Sequence, residues 1–105
     1  MENHVIKIVT FKLADGVCEK EFIKTAPSVT IFLQNCKGFK RRCLSKGEND
    51  NWLEHVEWEN MDDAKAASEA FMKQDSLMGY MQAIDTDSVK MEHQYLYLLA
   101  SQNIA

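Results

Sequence analysis

Residues His4–Leu13, HVIKIVTFKL, constrain the fold more than any other stretch of the chain. The run is rich in β-branched side chains and alternates Val5, Lys7, Val9 and Phe11 with Ile6, Ile8 and Thr10. A strand built from it is apolar on much of both faces. Such a strand belongs in the middle of a sheet, and both sides of that sheet need a cover.

The segments that follow supply one cover. Val17–Cys36 carries Phe22, Ala26, Val29 and Leu33 at helical spacing, so it predicts a helix with one apolar face. Pro27 removes a hydrogen bond and crowds the preceding turn, which predicts a kink or restart near Thr25–Ser28, and Gly38 is the expected stop. Phe39–Ser45 and Asn51–Glu59 read as strands joined by a polar hairpin loop. Asn60 is the expected N-cap of the helix MDDAKAASEAFMK, whose first turn holds Asp62 and Asp63, where the helix dipole favours negative charge. Asp75 is the expected cap of a short helix, SLMGYMQAI, and a last strand is predicted over Ser88–Leu99.

The order βαββααβ describes an α+β, ferredoxin-like fold with a four-stranded antiparallel sheet and its helices on one face. With 105 residues there is room for one domain only, with a core over about residues 4–99 and a tail over 100–105. The second sheet face remains to be covered. The last strand places Met91, His93, Tyr95, Tyr97 and Leu99 on one side and Leu96 and Leu98 near the end of the other, so neither side is cleanly polar. Self-association through the sheet face is the economical solution, and a homodimer is expected.

Charge and cysteine content narrow the partners. A net charge of −4 argues against binding driven by nucleic-acid phosphates. The one basic cluster, KGFKRR at Lys37–Arg42, reads best as a solvated strand. No segment resembles a signal peptide or reaches transmembrane length, so no membrane partner is expected. Cys18, Cys36 and Cys43 lack the spacing of a disulfide framework or a zinc site, and reduced thiols in a cytoplasmic protein are the simplest expectation. Cys43 itself reads as a small buried apolar residue.

The strand VIKIVTFKL, a long helix ending in CKGF, a strand ending in VEW before ENMDDAKAA, a short helix and the final strand VKMEHQYLYL together resemble the antibiotic biosynthesis monooxygenase family. The resemblance covers roughly residues 4–99 and implies a dimeric α+β barrel, in which two chains pair sheet to sheet and each holds a pocket between sheet and helices. Some members of that family oxygenate polycyclic phenols or quinols without metal or flavin, some degrade haem, and others have no established activity. The haem-degrading members use a histidine on the late helix, and residues 75–85 contain none. The resemblance therefore implies no cofactor and no metal.

Cofactor-free oxygenation needs a flat apolar pocket, a base and hydrogen-bond donors for the resulting anion, and imidazole is the natural base near neutral pH. His93 and His55, both mid-strand, are the candidate catalytic residues; His4 begins a strand. Parity places Trp52, Glu54, Val56 and Trp58 on one face of their strand and Leu53, His55 and Glu57 on the other, so His55 and Trp58 do not share a wall. Trp58 is a candidate wall for a planar substrate, although packing at a strand-to-helix junction explains it as well. Tyr80, beside Met78 and Met81, could close the pocket from the helix side, and Tyr95 shares the face of His93. Two functions remain: a monooxygenase acting on a small aromatic, phenol- or quinol-like substrate, or a non-catalytic dimeric barrel that binds a small apolar molecule or serves a stress-related role. An open cavity behind Trp58 separates the first from a filled core.

Overall fold

The computed structural model describes residues 3–102. Four strands, β1 (Val5–Phe11), β2 (Phe39–Lys46), β3 (Trp52–Trp58) and β4 (Lys90–Tyr95), form one antiparallel sheet in the order β2-β3-β1-β4. Helices α1 (Glu19–Gln34), α2 (Met61–Phe71) and α3 (Met78–Gln82) complete the expected ferredoxin-like α+β fold. The two-faced strand β1 lies in the middle, paired on one side with β3 and on the other with β4.

Register assigns each side chain to a face. Val5, Lys7, Val9 and Phe11 sit opposite Trp58, Val56, Glu54 and Trp52 of β3, and Val5, Lys7 and Val9 sit opposite Tyr95, His93 and Met91 of β4. These residues share the face that meets the helices, where Phe11, Phe22, Leu77 and Trp58 are fully buried. Phe22 of α1 is the hub of an aromatic cluster, with ring centroids 5.7 Å from Phe11, 4.9 Å from Trp52 and 5.1 Å from Tyr80. Each of these side chains contributes on the order of 2 kcal/mol by burial, so the cluster fastens α1 and α3 to the sheet.

Several local expectations hold and others do not. Asn60 caps α2 by accepting a hydrogen bond from the Asp63 backbone amide at 2.8 Å. Helix α1 runs through Pro27 without a restart. Pro27 is exposed, away from the sheet, where an acceptor left without its amide partner can turn to water. Asp75 is not a cap but the first residue of a 3-10 turn, Asp75–Leu77, that leads into α3. Strand β4 ends at Tyr95 rather than Leu99 because its partner ends first: Val5 pairs with Tyr95, and one further bond, from the Leu96 amide to the His4 carbonyl, closes the ladder. Tyr97 and Leu98 beyond it are largely exposed.

Gly38 is not a helix stop, since α1 has already ended at Gln34. It adopts a φ of +83°, and a Cβ at that position would come within 2.8 Å of the Asp63 side chain. Only glycine lets the start of β2 pass this close to the capped end of α2. Immediately afterwards β2 carries a bulge: Phe39 faces Trp58 and Arg41 faces Glu57, with Lys40 unpaired between them.

Candidate functional site

Between the sheet and the helices lies a cavity of about 370 Å³. Trp58, Val56, Val9 and Phe11 form its sheet wall; Leu33, Phe32, Ala67, Phe71, Tyr80 and Met81 form its helix wall. Met72, Val89 and Met91 line it while remaining exposed, and so mark its mouth. The volume is at the small end of the range for ligand sites, and the apolar, aromatic lining with few polar groups is typical of them.

The polar groups are Lys7, Glu54, Ser68, Thr86 and the Tyr80 hydroxyl. Glu54 is buried, and both of its oxygens are committed. Oε1 accepts from Arg42 Nε at 2.9 Å, and Oε2 accepts from Arg42 Nη2 at 2.6 Å and from the Tyr80 hydroxyl at 2.5 Å. Arg42 Nη1 donates in turn to the Ala26 carbonyl and the Thr30 hydroxyl, at 2.8 and 2.7 Å. This bidentate pair, with Nη1 directed at two further acceptors, is the geometry in which a buried ion pair is tolerated. Burial and the Glu54 charge raise the Tyr80 hydroxyl above its ordinary pKa, so it stays protonated and donates. Glu54 is thus an anchor for Arg42 and Tyr80, with three hydrogen bonds accepted from within the protein.

Two buried polar side-chain atoms among the described residues have no hydrogen-bond partner: Trp58 Nε1 and His93 Nε2. A buried indole N–H without an acceptor is costly. His93 sits opposite Lys7 on the helix side of the sheet. Burial lowers its pKa, and the charges of Lys7 and Lys65 lower it further, so the imidazole is neutral at pH 7. Lys7 donates to the Ser68 hydroxyl at 2.7 Å, and burial lowers its pKa while Glu54 opposes the shift.

The structure therefore separates the residues singled out in the sequence. Trp58 and Tyr80 line the cavity. His93 is on the same side of the sheet but outside the lining, and Tyr95 is exposed at the end of the Trp58–Val5–Tyr95 row. His55 is on the opposite face, across from Cys43 and Ile8. Cys43 is exposed rather than buried. Arg42 is buried, not part of a solvated strand, because the bulge turns it inward. Lys7, Glu54 and Ser68 were not singled out at all. The signal for the first two was parity: Glu54 lies between Trp52 and Trp58 on one face, and Lys7 between Val5 and Val9. Among the described residues no group of three or more His, Cys, Asp or Glu side chains is placed to hold a metal ion.

Solved structures share this fold. SnoaB from Streptomyces nogalater, a cofactor-independent oxygenase, is similar over 97% of both chains, with a TM-score of 0.62 and 17% identity. A protein from Bordetella bronchiseptica, provisionally assigned as an antibiotic biosynthesis monooxygenase, reaches a TM-score of 0.77 at 13% identity over 92% of this chain and all of its own. A dimeric ferredoxin-like protein of unknown function from Thermobifida fusca has a TM-score of 0.71 and 10% identity, over 91% and 93% of the two chains. No protein-family model and no curated sequence matches the chain, so the likeness resides in the fold. That fold is the one the resemblance implied, and among the described residues no helix is long and apolar enough to cross a membrane.

Proposed function

We propose that the chain is a cofactor-independent monooxygenase for a small, planar, phenol- or quinol-like aromatic molecule held in the cavity between sheet and helices. The observation that carries this reading is the open, aromatic-lined cavity between sheet and helices. A planar substrate lies along the Trp58 wall, while Tyr80 and Phe71 face it from the helices. Of the two candidate histidines only His93 is on the cavity's side of the sheet, outside the lining but opposite the lining residue Lys7. It is the candidate base of this reading, and removing the phenolic proton makes the ring electron-rich enough to react with dioxygen. Oxygenation of a phenol to a quinone consumes one dioxygen and releases one water, so no external reductant is needed. His55, on the other side of the sheet, and the exposed Tyr95 take no part in it. SnoaB, a cofactor-independent oxygenase of the same fold, supports the reaction class.

In the same reading two copies pair through the outer sheet face, where Ile6, Ile8, Thr10 and Leu53 stand without a covering helix. Structural neighbours from Thermobifida fusca and Bacteroides fragilis are dimeric. Light scattering at micromolar concentration should give twice the mass of 12.1 kDa; a monomer would remove the barrel from the reading.

The activity is tested with an oxygen electrode on a panel of naphthols, hydroquinones and polycyclic phenols. Dioxygen uptake matched by quinone formation, lost in His93→Ala and reduced in Trp58→Phe, is the expected result. Uptake unchanged in His93→Ala removes that histidine as base, and no uptake across the panel favours a non-catalytic ligand-binding barrel.

A further inference from the structure

The charges around the cavity do not cancel. Glu54 is the only acidic residue in the lining among those described, and its carboxylate is bound at both oxygens by Arg42. Lys7 also lines the cavity, yet it has no carboxylate within ion-pair distance among the described residues; its one side-chain partner is the neutral Ser68 hydroxyl. Two cations against one anion leave one unit of positive charge, placed where water is scarce and the walls are apolar. A third cation, Lys65 of α2, is near enough to act on His93 together with Lys7. The chain as a whole carries a charge of −4, so this positive spot runs against the overall balance.

We propose that the natural ligand is an aromatic acid whose carboxylate binds Lys7 and Ser68 while its ring system lies along Trp58. The inference rests on the aromatic-pocket reading above and deepens it by naming the second functional group. Cross-strand register makes the arrangement consistent: Lys7 lies opposite Val56, two residues from Trp58 on the same face of β3. A group held at Lys7 is therefore one residue pair away from the wall on which the ring would stack. A carboxylate there completes a charge-assisted hydrogen bond in a low-dielectric site, where such a bond is stronger than in water. A neutral aromatic molecule of the same shape leaves the half-buried ammonium without a counter-charge, which gives discrimination by charge rather than by size.

The test is calorimetric binding of 2-naphthoate and of 2-naphthamide, two probes of nearly equal shape and different charge, to the full chain at pH 7. Naphthoate is expected to bind at least tenfold more tightly, about 1.4 kcal/mol. Lys7→Met should bring that ratio close to one and Lys7→Arg should retain most of it. Lys90→Met, an exposed lysine on the outer face of the sheet, should leave it unchanged. Equal affinities for the two probes, or a preference that persists in Lys7→Met, would overturn the acid-binding inference while leaving the aromatic pocket intact. Binding of neither probe would overturn the inference together with the pocket reading beneath it.

Discussion

Arg41 and Arg42 are adjacent in sequence and each holds a glutamate of β3, but on opposite faces of the sheet. On the helix side, Arg42 and Glu54 are both buried and meet at 2.6 Å, with side chains 7% and 9% exposed. On the outer side Glu57 is equally buried, at 3%, but its partners are not: Arg41 is 59% exposed and His4 40% exposed, at 2.9 and 2.7 Å. The chemistry is the same and the solvent is not. The inner pair is a fixed part of the core, because neither member has water to turn to when the other is lost. The outer pair can be rehydrated piecemeal, so its geometry is free to adjust to whatever covers that face.

Replacing the two arginines in turn puts this contrast to its strongest test. Arg42→Ala leaves Glu54 charged and buried and strips the Ala26 carbonyl and Thr30 of their donor; it should cost about 3–5 kcal/mol in urea unfolding. Arg41→Ala should cost less than about 1 kcal/mol, since His4 remains on Glu57 and the lost partner was largely solvated. Equal losses would mean that solvent exposure does not separate the two sites.

A smaller effect is expected from Tyr80→Phe, which removes one donor from a carboxylate that keeps both of its arginine bonds. A loss of about 1 kcal/mol is expected. A much larger loss would show that Tyr80, not Arg42, is what keeps Glu54 in place.

The smallest effect concerns pH. The folded state lowers the pKa of His93 below its ordinary value of 6.5, through burial first and the charges of Lys7 and Lys65 second. The unfolded chain therefore binds the proton first. The stability held above pH 6.5 is lost as pH falls through that value toward the folded-state pKa, with a slope of at most ~1.4 kcal/mol per pH unit. In His93→Gln this contribution should vanish, flattening urea midpoints measured below pH 6.5.

Much of this architecture was legible in periodicity. The two-faced pattern of HVIKIVTFKL placed β1 centrally, and the alternation in WLEHVEW separated His55 from Trp58. Pairing length was not legible, because the end of β4 is decided by where β1 begins, not by the β-propensity of LYLL. The polar network around the cavity was hidden in part for a related reason. Parity put Glu54 and Lys7 on the faces of their apolar neighbours, but Arg42 could not be placed that way, because in β2 the register passes through a bulge. Ser68 comes within reach of Lys7 only through the packing of α2 on the sheet.

That bulge has a further consequence for how the hairpin finds its alignment. With Lys40 squeezed out, Arg41 faces Glu57 and Arg42 faces Val56; slipped by one without a bulge, Lys40 and Arg41 would take those places. Either alignment presents a cation to each glutamate, so the run KRR is degenerate and electrostatics alone cannot proofread it. The choice falls to the residues downstream, where the observed alignment tucks Leu44 against the core and leaves Cys43 outside. A Leu44→Ser variant should accordingly show doubled amide resonances for residues 41–46. One leucine thus acts as the parity check for a strand whose charges would accept either frame.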